Sequence, residues 1–307
     1  MSSLTVFANF RIDSEERFLR MQDSFFSFHA ADIAKWVINV RGQYKAEVTE
    51  FLKNNLDKNL DLFNLDSEKG WFYDSAKMLA HINTKYVFVW IEDHICMSGT
   101  TKLNALVNEM CACDVEYLDY TWFGNGAYLD EFGQIDKREH NVIYTLNYNR
   151  LAHKIRNKYA IDKLNQVHGI GFISLCSICN KPLFEKLITV RDPYWRRYPK
   201  KYPFDFEKES KDVQWLPIKM ALPKYEIFAC IDDNNRHPGS CLIDRGLYRK
   251  SDVRSIKDSR KSIVSLFGSF YKSSSWLNVI IDKKNALSVL KNINSLKRIV
   301  KQIPYQF

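Results

Sequence analysis

Three polar residues, Glu92-Asp93-His94, directly follow residues 86–91 (YVFVWI), a run that is apolar at every position. Two carboxylates and an imidazole in a row can hold a hard or borderline divalent cation. The apolar run reads as a strand buried on both faces, as central strands of parallel sheets are. Ligands of such sheets bind outside the carboxyl ends of the strands, so the acids stand where chemistry is done, although acids are also ordinary solvated strand ends. Basic residues fall near the neighbouring ends: Arg11 after residues 4–10, Arg41 after residues 34–40, and Lys77 in the segment leading into the apolar run. Each alone is an ordinary surface charge. As a set behind one sheet edge, they would offset the charge of a phosphorylated leaving group, a task that metal ions share with Lys and Arg.

The elements that must position these residues follow a rhythm. Residues 4–10, 34–40, 60–65 and 86–91 read as strands, and 14–27, 45–54 and 70–82 as the intervening helices. Alternation at this spacing predicts a parallel sheet wound with right-handed crossovers. Beyond it, residues 102–110 read as helix, 114–122 as extended and 123–138 as a polar loop. A helix at 148–159, a strand at 171–178, a short helix at 182–187 and a strand at 225–231 follow. Residues 191–204 (RDPYWRRYPKKYPF) form an aromatic, basic, Pro-broken loop.

The segment from Gly70 through Ala76-Lys77 to Glu92-Asp93-His94 resembles the nucleotide-sugar half of GT-A glycosyltransferases, especially the inverting family 2. In that family a glycine opens a helix carrying an Ala-Arg pair, and the next strand ends in an Asp-x-Asp that binds a metal and the donor diphosphate. Gly70, Ala76-Lys77 and Glu92-Asp93-His94 stand at those places, and Asn9-Phe10-Arg11 stands where the family has an Asn-Arg turn. The resemblance covers residues 4–97. It implies an α/β, Rossmann-like, mostly parallel sheet flanked by helices, with the nucleotide-sugar half at 1–97 and the acceptor half at 98–248. The basic remainder, 249–307, is read as a linker and a C-terminal amphipathic helix. The implied donor set is Asn9, Arg11, Arg41, Asp66, Lys77, Glu92 and Asp93, with metal on Asp93 and His94. Histidine suits Mn²⁺ better than Mg²⁺, so Mn²⁺ is the expected cation. The second strand ends in Asn39-Val40-Arg41 rather than in the family's acidic pair, which leaves the nucleotide unassigned.

Inverting transfer needs a carboxylate to take the acceptor's proton. The resemblance places it after the acceptor-side strand, where Glu207, in Pro203-Phe-Asp-Phe-Glu207, ranks ahead of Asp233, in Ile231-Asp232-Asp233-Asn234. Asp232, Trp195 and Arg196 are the acceptor-side candidates, since aromatic faces stack on sugar rings and arginines hold acidic groups. The expected partners are a nucleotide-sugar donor and a glycan or lipid-linked glycan acceptor of surface polysaccharide synthesis.

Composition narrows the field. The chain has 307 residues, 46% hydrophobic and 26% charged, with 11 Gly and 8 Pro, which excludes collagen and wholly disordered classes. Seven cysteines are an odd set for an exported scaffold; Cys176-Ser-Ile-Cys179, with Cys111-Ala-Cys113, is a weak zinc pattern and reads better as core. With no basic leader or spanning run, a cytoplasmic location is expected. Residues 1–180 carry −4 and residues 181–307 carry +13, together the net +9. A basic half of this kind attracts polyanions, so nucleic-acid binding is one rival reading; no nucleic-acid motif accompanies it, and none is expected as partner. A sugar nucleotidyltransferase is the other, but the turn after the first strand lacks a Gly-rich phosphate loop. In residues 284–303 apolar residues recur at three- and four-residue spacing beside Lys and Arg, which fits a helix lying on the anionic inner face of the membrane.

Overall fold

The computed structural model describes residues 3–56, 59–119, 130–164, 172, 176–189, 215–232 and 241–248. The candidate residues Trp195, Arg196, Glu207 and Asp233, and residues 249–307, lie outside them.

Strand β1 (Leu4–Arg11) is buried along its length except at Arg11, and β4 (Tyr86–Val89) is buried throughout. Between them the chain makes helix α1 (Glu15–Phe28), β2 (Lys35–Arg41), α2 (Lys45–Asn55), β3 (Leu60–Phe63) and α3 (Trp71–Met78). Helix α1 begins where Ser14 accepts a hydrogen bond from the Arg17 N–H at 3.3 Å, with Glu15 and Glu16 in the first turn against the positive end of the helix dipole. Side chains alternate across β1: Val6, Ala8 and Phe10 join Phe25, Phe28, Phe51 and Leu52 of α1 and α2 on one face. Phe7 joins Trp71, Phe72 and Met78 of α3 on the other. Full burial of a side chain such as Phe contributes about 1.5–3 kcal/mol, so the two apolar layers fix the register.

The rest comprises β5 (His94–Cys96), α4 (Thr100–Ala112), β6 (Tyr117–Leu118), β7 (Arg138–Glu139), β8 (Ile143–Tyr148), α5 (Arg150–Leu164), β9 (Ser177–Asn180), α6 (Lys181–Thr189), β10 (Ile218–Pro223) and β11 (Phe228–Cys230). The described residues form a nine-stranded sheet of order β3-β2-β1-β4-β9-β6-β10-β8-β7, and β11 and β5 pair as a second sheet. All but β8 and β9 of the nine point the same way, so the sheet is mixed and mostly parallel. The chain runs outward from β1 through β2 to β3 and then returns to β4 on the other side of β1. The carboxyl ends of β1 and β4 thus flank a topological switch point, the crevice where open α/β sheets bind ligands.

The four N-terminal strands stand where the apolar runs predict them. Farther along the register moves: the strand expected at 171–178 is β9 at 177–180, and it runs antiparallel to both β4 and β6. Of the extended segment expected at 114–122 only Tyr117–Leu118 pairs as a strand among the described residues. Strands β5, β8 and β10 are not among the expected strands; each is stabilised by pairing with distant chain rather than by a repeating apolar pattern of its own.

A glycine holds the crevice rim together. Gly42 has φ +97°, and a Cβ on it would lie 2.4 Å from the Ile12 carbonyl oxygen. That contact lets the turns after β1 and β2 close on each other, through Ile12 N–H to Arg41 O at 2.9 Å and Tyr44 N–H to Ile12 O at 3.0 Å.

Candidate functional site

The floor of the crevice is a network of buried amides. Asn39 takes the Leu65 N–H on its side-chain oxygen at 2.7 Å and donates to Leu65 O at 2.9 Å and to Asn9 Oδ1 at 2.8 Å. Asn9 donates in turn to Ser75 Oγ at 2.9 Å and Trp71 O at 3.2 Å, while Trp71 Nε1 donates to Asn9 O at 3.0 Å. Asn9 therefore positions the loop after β3 and the start of α3 with its amide turned inward. Asn39, where the resembling family carries an acid, does the same for Leu65.

Above that floor the ends of β1, β2 and β3 bring charges together. Arg11 donates to both Asp66 carboxylate oxygens, at 2.9 and 3.1 Å, and buried Arg41 lies 3.8 Å from Asp66. Lys77 is not part of this group: it lies over the ring of exposed Tyr73 at 4.6 Å, on the solvent side of α3.

On the far side of the switch point, beyond β4, stand Glu92, Asp93 and His94. Glu92 is buried and paired with Arg17 of α1 at 2.9 Å; burial and the neighbouring Asp93 charge push its carboxyl up, against Arg17. Asp93 goes the other way: burial works against its carboxylate, but His94, Arg17 and Arg20 outweigh it and hold it below the usual carboxylate range. Asp93 Oδ1 and His94 Nδ1 are 2.6 Å apart. Arg20, one turn along α1 from Arg17, reaches Asp232 at 2.6 Å and also pairs with Glu16. The peptide at His94 is anchored from α1, with Trp90 Nε1 donating to Ser24 Oγ at 2.8 Å and Ser24 donating to His94 O.

The structure thus gathers Asn9, Arg11, Arg41, Asp66, Glu92, Asp93, His94 and Asp232 around the carboxyl edge of β1, β2 and β4, and sets Lys77 apart. It also brings in residues the sequence did not single out. Arg17 and Arg20 stand three apart on a segment already read as helix, a spacing that puts both on one face. Cys230 of β11 lies directly opposite His94 of β5, and carboxylate, imidazole and thiol ligand atoms of Asp93, His94 and Cys230 all lie within 4.8 Å of one another. Its own segment, 225–231, reads as a strand in the sequence, but its pairing with β5 does not show there. Cys176 and Cys179, by contrast, are buried on opposite faces of the sheet, which fits core cysteines and not two ligands of one ion.

A second charged cluster lies at the end of β6. Arg156 of α5 pairs with Asp119 at 3.1 Å and Glu131 at 3.0 Å, all three almost fully buried, with the guanidinium 4.7 Å from the Phe132 ring centroid.

No protein-family model and no curated protein matches the sequence. Among solved structures the chain is similar to S. aureus TarS, at 11% identity and TM-score 0.45, covering 99% of this chain and 49% of that one; it spans about half the length of TarS. TarS 1–349 in complex with UDP-GlcNAc gives 11% identity and TM-score 0.43 over 93% of this chain and 78% of that one. A CMP:2-keto-3-deoxy-manno-octonic acid synthetase complexed with CTP gives 9% identity and TM-score 0.40 over 72% and 89%.

Proposed function

We propose that the chain is a glycosyltransferase that binds a nucleotide-sugar donor in the crevice between β1 and β4 and moves its sugar to a hydroxyl of a glycan or lipid-linked glycan. The observation that carries this reading is the Asp93–His94 pair, just beyond the end of β4 and beside the switch point, with Arg11 and Arg41 at the ends of β1 and β2. A pyrophosphate leaving group gathers negative charge as the glycosidic bond breaks. Asp93 and His94 fit a divalent cation, since they offer an oxygen and a nitrogen ligand on one turn; when bound, the cation neutralises that charge. Arg11 and Arg41 add fixed positive charge near the same oxygens. Asn9, Asn39 and Trp71 hold the loop after β3, which forms the wall on the nucleotide side.

The acceptor proton goes to Glu207 or Asp233 in this reading, with Glu207 the first choice, and Trp195, Arg196 and Asp232 contact the acceptor. Nucleotide release from a panel of UDP-, GDP-, CMP- and dTDP-sugars tests the activity, with UDP-GlcNAc a natural first donor. Release from one donor class, abolished by EDTA and reduced by roughly 10²–10⁴ in Glu207→Gln, is the expected result. Pyrophosphate release from a nucleoside triphosphate and a sugar would make the chain a nucleotidyltransferase instead.

A further inference from the structure

We propose that Asp93, His94 and Cys230 form a three-ligand site for a thiophilic divalent cation of the zinc type, with an open fourth position for a phosphate oxygen of the donor. The inference rests on the proposed donor site and assigns its metal chemistry.

Three observations point to it. First, the ligands come from two strands locked in register. His94 and Cys230 are directly opposed in the antiparallel β5–β11 ladder, and the Ile231 N–H donates to Asp93 O at 2.8 Å, so both segments are held beside one another by backbone. Directly opposed residues carry their Cβ atoms about 4.5–5.5 Å apart on one face, so the imidazole and the thiol share a side of the ladder without any special rotamer. Second, one ligand atom from each residue falls within a 4.8 Å spread. Zinc bonds run about 2.0–2.3 Å, so shifts of under about 1 Å would close the three onto one ion. Third, Asp93 Oδ1 and His94 Nδ1 already face one another at 2.6 Å, so a cation that displaces the proton between them can take both as ligands.

The donor set decides the cation. Mg²⁺ takes oxygen ligands in near-ideal octahedra, and a thiolate offers it little. A mixed carboxylate, imidazole and thiolate set suits Zn²⁺ and Co²⁺, and three protein ligands with one open position is the arrangement of catalytic rather than structural zinc. Asp93, with a side chain 31% exposed, and half-buried Cys230 both reach solvent, while His94 is at 5%. The open position therefore faces the crevice.

The test uses the full chain, stripped of metal and titrated with Co²⁺, whose thiolate complexes show a charge-transfer band in the near ultraviolet. One equivalent of Co²⁺ should produce the band, Zn²⁺ should displace it at least tenfold more effectively than Mg²⁺ or Mn²⁺, and Cys230→Ser should lose it. Cys113→Ser serves as control, because Cys113 Sγ lies 3.5 Å from His140 Nδ1 and is another thiol beside an imidazole among the described residues. It should keep the band. No band in the wild type, a band that survives in Cys230→Ser, or displacement by Mg²⁺ or Mn²⁺ as effective as by Zn²⁺ overturns the proposal. The wild-type reading does not depend on how well Cys230→Ser folds. Nucleotide binding is measured on the same samples. Binding without the band refutes the zinc-type site alone, whereas a band without binding supports the metal site and refutes the donor reading.

Discussion

Among the residues, the Arg156 cluster and the Asp93–His94 pair put charge to opposite uses. Arg156 is sealed in, with Asp119 and Glu131 as ion-pair partners, so its role is to satisfy two buried carboxylates at the end of β6. Removing one partner of such a group leaves charge buried without compensation, which costs about 3–5 kcal/mol. Arg156→Met should therefore lower the free energy of unfolding in urea by about that amount. A loss below about 1 kcal/mol would show that the cluster is solvated. Asp93 sits at a strand end, partly open to solvent, and its carboxylate is kept charged by His94, Arg17 and Arg20. The acids and the histidine were legible from the sequence because they end an apolar run. Arg17, Arg20 and Cys230 were not, because what recruits them is the packing of α1 and β11 beside that turn, which no local pattern records.

For the elements, legibility follows how each one is stabilised. Strands β1, β2 and β4 carry their own signal, since a strand buried on both faces must be apolar throughout. Strand β10 (IKMALP) holds Lys219 and residues of low strand propensity, and it exists because β8 and β6 pair with it on either side. Strand β5 is three residues long and is defined by β11, more than 130 residues later. Edge strand β3 offers a test by pH. Its Asp61 pairs with Lys35 at 2.7 Å and with His81; burial opposes its charge, but these partners hold its carboxyl below the usual range. A carboxyl lowered in the folded state contributes stability above its unfolded pKa, about 3.9, and loses it as the pH falls through the folded value. Wild type should be more stable than Asp61→Asn at pH 6, and the gap should close as the pH drops below about 4. A gap unchanged down to pH 2.5 would contradict the pairing.

At the scale of the whole molecule, charge and fold divide the chain differently. The crevice is built mainly from residues of the −4 half, with Cys230 and Asp232 reaching it from the +13 half, which also holds the other acceptor-side candidates and the basic residues 283–301. Among the described residues no helix is long and apolar enough to cross a membrane. Basic residues near an anionic surface contribute about 1 kcal/mol each, so residues 284–303 are expected to bring the chain down with anionic vesicles at low salt, and a form ending at residue 275 to stay in solution. Equal pelleting of both forms would remove the membrane from the account. The central claim, a donor nucleotide held through a cation at Asp93 and His94, is tested most directly by thermal unfolding with UDP, GDP, CMP and dTDP, each with and without Mn²⁺ or Zn²⁺. A ligand at a hundred times its Kd adds about 2.7 kcal/mol, roughly 5 °C for a chain of this size. One nucleotide should raise the melting temperature by about that much only when the cation is present, and Asp93→Ala should lose that shift, measured against its own melting temperature without ligand. A shift that persists in EDTA and in Asp93→Ala, or no shift with any nucleotide, would contradict it.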